Sequence, residues 1–370
     1  MAETVLAAVR TAPGTTELCE FAMPDVPDDG ALLKMEVAGI CGTDVKMYAH
    51  PVIEAPVIMG HENVGTIVRA GRAFVERQGL GEGDRVFVEH YVACYQCDWC
   101  RLGEYRHCEA TDWRTNPNAR RYGYTSCEHP YHLWGGFAQY LYLPWNCVIH
   151  KVPDVVTQEE AGIITPLSNG VEWALNDAGV GFMSTVLIQG PGQQGLSQVV
   201  ACRQAGAALI VVTGTGRDAT RLELAKRLGA DHTVNVDEED ALNAALELTG
   251  GKGVDVVLDC TAAAGTAPVL LGIEALKRRA GTLLVQGELA KFPDFPLKLL
   301  TEKAITIKSA RGHSFRAVEL AIELLASKRF PLHLLSTHEY GLEDVDTAIR
   351  AVGGEVDESV VHVSLLPWRA

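Results

Sequence analysis

The chain has 370 residues and a net charge of −15, with 32 Lys and Arg against 47 Asp and Glu. This excess of acidic residues argues against nucleic-acid binding, which needs a basic face, and against docking on an anionic membrane surface. The length and a hydrophobic content of 47% predict a globular protein of roughly two or three domains.

The predicted elements fall into two parts with different patterns. The first 150 residues are β-rich, with alternating strands such as 31–37 and 63–68 between closely spaced Gly and Pro. From about residue 184, short apolar strands alternate with helical patterns, as in a doubly wound parallel sheet. The strands are Thr185–Gln189, Leu209–Thr213, Val254–Asp259, Gly281–Gln286 and Ile305–Ser309; the helices are Leu196–Ala205, Arg221–Leu228, Ala241–Leu248, Val269–Leu276 and Ala317–Ala326. A β-like segment, Val361–Leu366, ends the chain.

The simplest layout is a β-rich domain that is interrupted by an α/β domain. We predict residues 1–165 for the first domain, with a cysteine lobe at about 90–112. Residues 166–312 form the inserted domain, and 313–370 return to the first.

Ten cysteines bear on the compartment and on metal binding. Residues 1–10 hold no basic stretch followed by an apolar run, and no apolar run reaches the roughly 18 residues of a membrane span. We therefore expect a cytoplasmic protein, in which thiols serve as core residues, metal ligands or nucleophiles.

Two short motifs carry residue types found at catalytic zinc sites: Cys41-Gly42-Thr43-Asp44 and Gly60-His61-Glu62. Such a site has three protein ligands and an open position for water or a substrate oxygen. Cys41 and His61 are suitable ligands, and Asp44 could accept the second imidazole N–H. The Thr43 hydroxyl could carry a proton from a bound alcohol. Taken alone, a buried thiol and a satisfied core histidine explain the same residues.

Four cysteines follow at the spacing C-x2-C-x2-C-x7-C: Cys94, Cys97, Cys100 and Cys108. Thiolates so close in sequence can surround one tetrahedral Zn²⁺ and fill all its positions, which makes the metal structural. Four scattered core thiols are the alternative, but the spacing favours zinc.

A glycine-rich turn follows the strand at 185–189 and opens a helix. Its G-x-G-x-x-G pattern has Gly190, Gly192 and Gly195, with Gln193 between them. The glycines allow a tight turn and close approach to a pyrophosphate, which the helix N-terminus also attracts. Dinucleotide binding is favoured over a purely structural turn.

The next strand indicates which dinucleotide binds. At its end, where NAD enzymes carry an acid for the ribose 2′-OH, this chain has Gly214, with Thr215 and Arg217 beside it. A missing carboxylate and a nearby guanidinium favour NADP. NAD stays open, because Asp218 could reach a ribose.

Together these motifs resemble the zinc-containing medium-chain alcohol and polyol dehydrogenase family over nearly the whole chain. The matching pieces are collinear: Cys41–Asp44, Gly60–Gly65, Gly83–Val86, the cysteine lobe, Gly190–Gly195 and Arg221–Asp231. The resemblance implies a GroES-like catalytic domain with an inserted Rossmann domain. It also implies zinc- and NAD(P)-dependent oxidation of a small alcohol, or reduction of its carbonyl product, by a homodimer or homotetramer.

The resemblance also implies individual roles. Cys41 and His61 resemble the first two ligands of the catalytic zinc, and Asp44 resembles the acid that supports them. Thr43 resembles the first group of a proton relay, and Arg311 lies where relatives contact the cofactor.

The third zinc ligand departs from the family pattern. Thr165 stands where relatives have Cys, Glu or Asp, and a neutral hydroxyl is a poor zinc ligand. Since some relatives use the Glu that follows the His, Glu62 is the predicted replacement. A weak or absent catalytic metal is the alternative.

Aromatic residues between the lobe and residue 135 indicate a substrate preference. These residues are Trp113, Tyr122, Tyr124, Tyr131 and Trp134. They could line an apolar cleft, which would favour a bulky or cyclic secondary alcohol as the substrate. Ordinary packing under a long loop is the alternative. Two other functions stay open: a metal-free NADPH-dependent quinone or enone reductase, and a non-catalytic nucleotide-binding relative.

Overall fold

A computed structural model describes residues 4–53, 56–262, 264–287 and 291–369. The chain forms two compact units. The first contains residues 1–165, 322–327 and 336–370, and the second contains 166–321 and 328–335. The two units group residues by compactness and do not test the predicted domain boundaries, so those boundaries stay predictions. Within the described ranges, no helix has the length and apolar character needed to cross a membrane.

Strands dominate the first 150 residues, and helices alternate with strands over most of the remainder. The strands are β1 (Thr4–Ala12), β2 (Thr15–Ala22), β3 (Ala31–Ile40), β4 (Val57–Ile58), β5 (Glu62–Ala70), β6 (Arg85–Val92), β7 (Tyr140–Leu143), β8 (Cys147–Lys151), β9 (Thr185–Gln189), β10 (Leu209–Gly214), β11 (His232–Asn235), β12 (Val256–Asp259), β13 (Thr282–Val285), β14 (Thr306–Ser309), β15 (Ser336–Tyr340) and β16 (His362–Leu365). The helices are α1 (Gly42–Ala49), α2 (Arg72–Gln78), α3 (Asp98–Arg101), α4 (Gln158–Ala161), α5 (Ile164–Val171), α6 (Gln193–Gln204), α7 (Ala219–Leu228), α8 (Ala241–Leu248), α9 (Ala267–Ala275), α10 (Leu297–Lys303), α11 (Phe315–Ala326) and α12 (Val345–Val352). A π-helical stretch, Glu172–Asp177, continues α5.

The first unit contains two sheets. The larger has the order β15-β16-β3-β5-β6-β8, with β7 also paired to β3, and the smaller has the order β2-β1-β4. β3 is buried along nearly its whole length, whereas the edge strand β2 is mostly exposed or half-buried, as expected for central and edge positions. The predicted strands at 31–37 and 63–68 lie within β3 and β5.

The second unit has one parallel sheet in the order β11-β10-β9-β12-β13-β14. The order reverses between β9 and β12, which is the switch point where doubly wound sheets bind nucleotides. The glycine-rich turn follows β9 at this point. The β-rich first unit and the doubly wound parallel sheet of the second unit agree with the predicted fold class, a GroES-like β-rich domain with a Rossmann domain.

Some element boundaries differ from the predictions. The helix predicted from Leu196 begins at Gln193, because its first turn is polar and carries no apolar periodicity. The strand predicted from Val254 begins at Val256, since Val254 makes only an isolated bridge to Leu276.

Candidate active site and metal centres

Cys41 lies between β3 and α1, where it caps the helix. Its Sγ accepts a hydrogen bond from the Thr43 N–H at 3.3 Å, and the Asp44 carboxylate accepts one from the Cys41 N–H at 3.0 Å. These reciprocal bonds form a capping box, and the positive end of a helix stabilises a thiolate. The local sequence therefore fixes the thiol and the acid side by side.

His61 and Glu62 reach the same place through strand pairing. β5 pairs with β3 so that Glu62 lies opposite Gly39, and a Cβ at position 39 would lie 2.6 Å from Glu62 Oε2. His61 Nε2 lies 3.2 Å from Cys41 Sγ, and its Nδ1 lies 3.3 Å from Asp44 Oδ1. Residues about 20 positions apart thus form one cluster.

The side chains of Cys41, His61 and Glu62 fit a zinc ion. Their donor atoms all lie within 4.8 Å of one another, and all three residues are buried. Thiolate, imidazole and carboxylate are the ligands that zinc takes, at about 2.0–2.3 Å each. Glu62 Oε2 is buried without a hydrogen-bond partner in the described ranges, which a bound cation would satisfy. Three donors leave a fourth position for water or substrate.

Burial and mutual contact shift the protonation of this cluster. Burial raises the pKa of the Cys41 thiol, and it raises the pKa of Glu62 to about 7, with His61 opposing both changes. Burial lowers the pKa of His61, but the charges of Asp44 and Cys41 outweigh it and raise that pKa well above its usual value. A divalent cation favours the ionised thiol and carboxyl, so metal binding is expected to release protons.

Two threonines named in the sequence analysis bear on this site: Thr43, the predicted proton relay, and Thr165, which stands at the position of the family's third ligand. Thr43 is half-buried in the first turn of α1. Thr165, in α5, is buried, and its Oγ1 has no hydrogen-bond partner within the described part of the chain. The structure offers Glu62 as a charged third donor, whereas Thr165 supplies only a hydroxyl; the ligand role of Glu62 stays a prediction.

The four lobe cysteines converge on a second cluster. Their Sγ atoms lie within 4.8 Å of one another. The Cys94 N–H donates to Cys108 Sγ at 3.3 Å, and Cys94 and Cys100 Sγ are 3.9 Å apart. Burial raises the pKa of Cys94, but N–H donation from Gln96 and Cys97 outweighs it and lowers that pKa to about 7. Four thiols held this way fit one tetrahedral zinc.

The glycine-rich turn is built for close backbone approach. Gly190 has φ +89°, and a Cβ on Gly195 would lie 2.0 Å from the Gly190 carbonyl oxygen. Gly192 caps α6 without a side-chain hydrogen bond, and no atom lies within 4 Å of the position of its Cβ. Gln193 begins α6. Since the N–H groups of a helix's first turn have no partner within the helix, this helix end suits an anionic pyrophosphate.

The end of β10 has no room for the acid typical of NAD enzymes. A Cβ at Gly214 would lie 2.9 Å from Pro191 Cγ. The Asp218 carboxylate is already engaged, since it accepts from the N–H and Oγ1 of Thr215 and pairs with Arg221 at 3.0 Å. The Asp237 carboxylate also lies there, accepting from the Gly216 N–H at 2.8 Å, and the choice between NADP and NAD stays a prediction.

The two predicted arginine contacts lie at the same edge of the parallel sheet. Arg217 is exposed in a short 3₁₀ turn after β10, and Arg311 is exposed after β14. β14 lies three strands from β9, and its following segment is fixed where His313 Nδ1 contacts Asn169 Oδ1 at 2.9 Å. Contact of Arg217 and Arg311 with the cofactor stays a prediction.

Comparisons with known proteins agree with both parts of the site. Residues 27–154 match the model of the alcohol dehydrogenase GroES-like domain, and residues 195–327 match that of the zinc-binding dehydrogenases. A probable alcohol dehydrogenase of Mycobacterium tuberculosis is 36% identical over 358 residues, 95% of each chain. This chain belongs to the zinc-containing medium-chain alcohol and polyol dehydrogenase family.

Other relatives of this dehydrogenase are consistent with that membership. Sorbitol dehydrogenase of Bacillus subtilis is 32% identical over 334 residues, covering 88% of this chain and 87% of that protein. The crystal structure of an alcohol dehydrogenase from Thermotoga maritima is 25% identical, with a TM-score of 0.86 and coverage of 99% and 100%. The predicted family, the enzyme class of NAD(P)-dependent alcohol dehydrogenases, and the cofactors zinc and NAD(P) are confirmed.

Two residues beside the cluster of Cys41, His61 and Glu62 in this dehydrogenase were not predicted from the sequence: His90 and Arg121. The His61 ring lies 5.6 Å from the ring of His90 and 6.0 Å from that of Tyr124, centroid to centroid. Arg121 contacts His90 Nε2 through Nη2, and its Cζ lies 5.3 Å from the Tyr124 ring centroid. No short motif marks His90 or Arg121, because they come from β6 and from a loop about 30 residues later.

The aromatic residues predicted to line a cleft mostly serve another purpose. Tyr122 and Trp134 are buried in the core of the first unit, where the Tyr122 hydroxyl donates to the Tyr142 carbonyl oxygen at 2.9 Å. Tyr131 stacks on Tyr142 with ring centroids 4.0 Å apart. Tyr124 is the member of the predicted set whose ring lies beside His61.

A second buried network, also missed, anchors the cysteine lobe. Tyr105 in the lobe donates its hydroxyl to Glu89 Oε1, which also lies 2.8 Å from His150 Nε2. All three residues are buried. Burial, reinforced by the Glu89 charge, raises the pKa of Tyr105 well above its usual value.

Proposed function

We propose that this dehydrogenase oxidises a secondary alcohol at a zinc ion held by Cys41, His61 and Glu62, with hydride transfer to NAD(P). The convergence of these three buried donors carries the proposal. When bound, zinc supplies a Lewis acid that lowers the pKa of an alcohol.

The residues of the chain supply orientation and proton transfer. The Asp44 carboxylate contacts Nδ1 of His61 and so orients the ring, which leaves Nε2 facing Cys41 as a zinc ligand. Thr43, in the first turn of α1, accepts the alcohol proton at its hydroxyl and passes it towards solvent. The turn at 190–195 and the N-terminus of α6 bind the cofactor pyrophosphate and so orient the nicotinamide.

Metal analysis and turnover together test the proposal. We expect two zinc ions per chain and NAD(P)-dependent oxidation within a panel of secondary alcohols. Cys41→Ser should remove one zinc and abolish turnover, whereas the matched control Cys19→Ser, at a half-buried thiol in β2, should keep both. One zinc per chain with carbonyl or enone reduction would favour the metal-free reductase. Nucleotide binding without any turnover would favour a non-catalytic relative.

We propose NADP as the preferred cofactor. The crowding around Gly214 and the engagement of Asp218 support this choice, and Arg217 is the candidate partner of the 2′-phosphate. The ratio of kcat/KM with NADP to that with NAD should exceed one and should fall about 10-fold in Arg217→Gln. An unchanged ratio in that variant would contradict the assignment.

The finer features of the substrate and of the assembly stay predictions. Since Tyr122 and Trp134 are core residues, a bulky or cyclic substrate is now supported chiefly by Tyr124. Sorbitol, the substrate named for the Bacillus subtilis relative, belongs in the test panel. A cytoplasmic location and a homodimer or homotetramer stay predictions as well.

A further inference from the structure

Arg121 is held beside the catalytic cluster in an aromatic frame. Its Cζ lies 4.9 Å from the ring centroid of Tyr91 and 5.3 Å from that of Tyr124, so the guanidinium contacts two aromatic rings. Its Nη2 contacts the Nε2 of His90. A side chain with this many contacts loses little further freedom on binding a ligand, which makes it a preorganised cationic site.

The guanidinium has no anionic partner among the residues that the structure describes. Within the described part of the chain no acidic side chain forms an ion pair with Arg121, and its buried Nε makes no hydrogen bond. A half-buried arginine in a chain of net charge −15 could readily have been paired with an acid. A planar guanidinium left with N–H donors to spare is suited to a carboxylate or a phosphate.

Backbone contacts fix this arginine next to His61. The Tyr122 N–H donates to the His90 carbonyl oxygen at 3.0 Å. Gly123 has φ +77°, and a Cβ there would lie 3.2 Å from the Cβ of His61 and 3.1 Å from the Gly60 carbonyl oxygen. The turn that carries Arg121 therefore packs directly on the segment that supplies the second metal donor.

We propose that Arg121 determines substrate specificity by binding an anionic group, so that the preferred alcohol carries a carboxylate or a phosphate. This inference rests on the proposed function, because the reacting hydroxyl is placed by the cluster of Cys41, His61 and Glu62. The anion would lie several bonds from the reacting carbon, with Tyr124 between the two positions.

Matched substrate pairs test the proposal with zinc-loaded enzyme. The carboxylate arm compares 3-hydroxybutyrate with 2-butanol, and the phosphate arm compares sorbitol 6-phosphate with sorbitol. We expect kcat/KM to favour the charged member of at least one pair by about 10-fold or more, chiefly through KM. The arm that shows this preference identifies the anion.

Two arginine variants separate binding from general electrostatics. Arg121→Gln should remove the preference by lowering kcat/KM for the charged substrate about 10- to 100-fold, with little change for the neutral one. The control Arg120→Gln, which removes an exposed charge next in sequence near the Trp134 ring, should keep the preference. Zinc content and melting temperature show whether each variant is folded.

The outcomes distinguish the two proposals. Oxidation of the neutral alcohols without any preference for a charged partner would overturn the role of Arg121 alone. Equal losses for both members of a pair in Arg121→Gln would also overturn it, since that result indicates support of the metal cluster. Failure of the wild-type enzyme to oxidise any of the four compounds would contradict the proposed function and, with it, this inference.

Discussion

Gly39 decides where the Glu62 carboxylate can lie. Any side chain at position 39 would occupy the space of Oε2, because its Cβ would be 2.6 Å from that atom. Glycine thus lets a residue on the neighbouring strand turn its carboxylate towards Cys41 and His61. This arrangement supports the prediction that Glu62 takes the place of Thr165 as the third donor.

Replacing Glu62 tests that compensation. Glu62→Gln keeps the shape but removes the charge, so we expect zinc to fall from two ions towards one, with affinity reduced at least about 10- to 100-fold. Thr165→Val, nearly isosteric at the alternative position, should retain both. Zinc content by mass spectrometry and alcohol turnover check both variants. Loss of zinc from Thr165→Val but not from Glu62→Gln would reverse the assignment.

At the scale of elements, the glycine-rich turn between β9 and α6 contains glycines that are required for different reasons. Gly195 is required by packing, since a Cβ there would lie 2.0 Å from the Gly190 carbonyl oxygen. No atom lies within 4 Å of the position of a Cβ on Gly192, so we predict that this glycine leaves room for the cofactor. The same motif is therefore predicted to contain one structural and one binding glycine.

Alanine substitutions should separate these two roles. Gly195→Ala should destabilise the protein by about 1–3 kcal/mol through overpacking and weaken cofactor binding. Gly192→Ala should change stability by less than about 0.5 kcal/mol, but its methyl group should lower cofactor affinity. Thermal melting and fluorescence titration with NADPH measure the two effects. Unchanged NADPH affinity in Gly192→Ala would show that the pyrophosphate does not approach there.

The cysteine lobe is joined to the sheet by a polar contact as well as by packing. Tyr105→Phe removes the hydroxyl that donates to Glu89 and leaves that buried carboxylate with one donor fewer. We expect a loss of about 1–3 kcal/mol in the free energy of unfolding. Tyr95→Phe, at a tyrosine that is 47% exposed in the same lobe, is the control and should melt like the wild type. Equal melting of both variants would argue that packing alone holds the lobe.

At the scale of the whole molecule, acid stability depends on buried and half-buried ion pairs. Asp255 accepts from the N–H and Oγ1 of Thr185 at 2.7 and 2.8 Å and pairs with Lys277 at 2.5 Å. Burial raises the pKa of Asp255, but Lys277 and Thr185 outweigh it and lower the pKa below its ordinary value. The stability it contributes is therefore fully present above about pH 4 and is lost as pH falls through the lowered pKa.

Asp255→Asn should reduce this acid dependence. We expect a loss of about 1–3 kcal/mol at pH 7 and a smaller further loss between pH 4 and pH 2 than in the wild type. Denaturant unfolding followed by circular dichroism at each pH measures both. Glu76→Gln, in the exposed pair with Arg72, is the control and should follow the wild-type curve. A pH dependence of unfolding in the variant that runs parallel to that of the wild type would show that Asp255 does not contribute to it.

The sequence by itself determined the features that depend on neighbouring residues. The cysteines from Cys94 to Cys108, the motif Cys41–Asp44 and the glycine-rich turn each lie within one short segment, so their chemistry can be read from spacing. Alternating strand and helix patterns likewise indicated the parallel sheet, since each strand is short, apolar and bounded by turns.

The resemblance predicted that Cys41, His61 and Glu62 share a site, but only the tertiary structure shows what brings them together and which other residues lie beside them. Glu62 meets Cys41 because of the register between β5 and β3, and a shift of one residue would turn its side chain to the opposite face. His90 and Tyr124 lie beside His61, and Arg121 contacts both of them, because a loop folds back on the end of β6. The register between these strands and the path of this loop depend on packing across the whole unit, so no local sequence pattern encodes them.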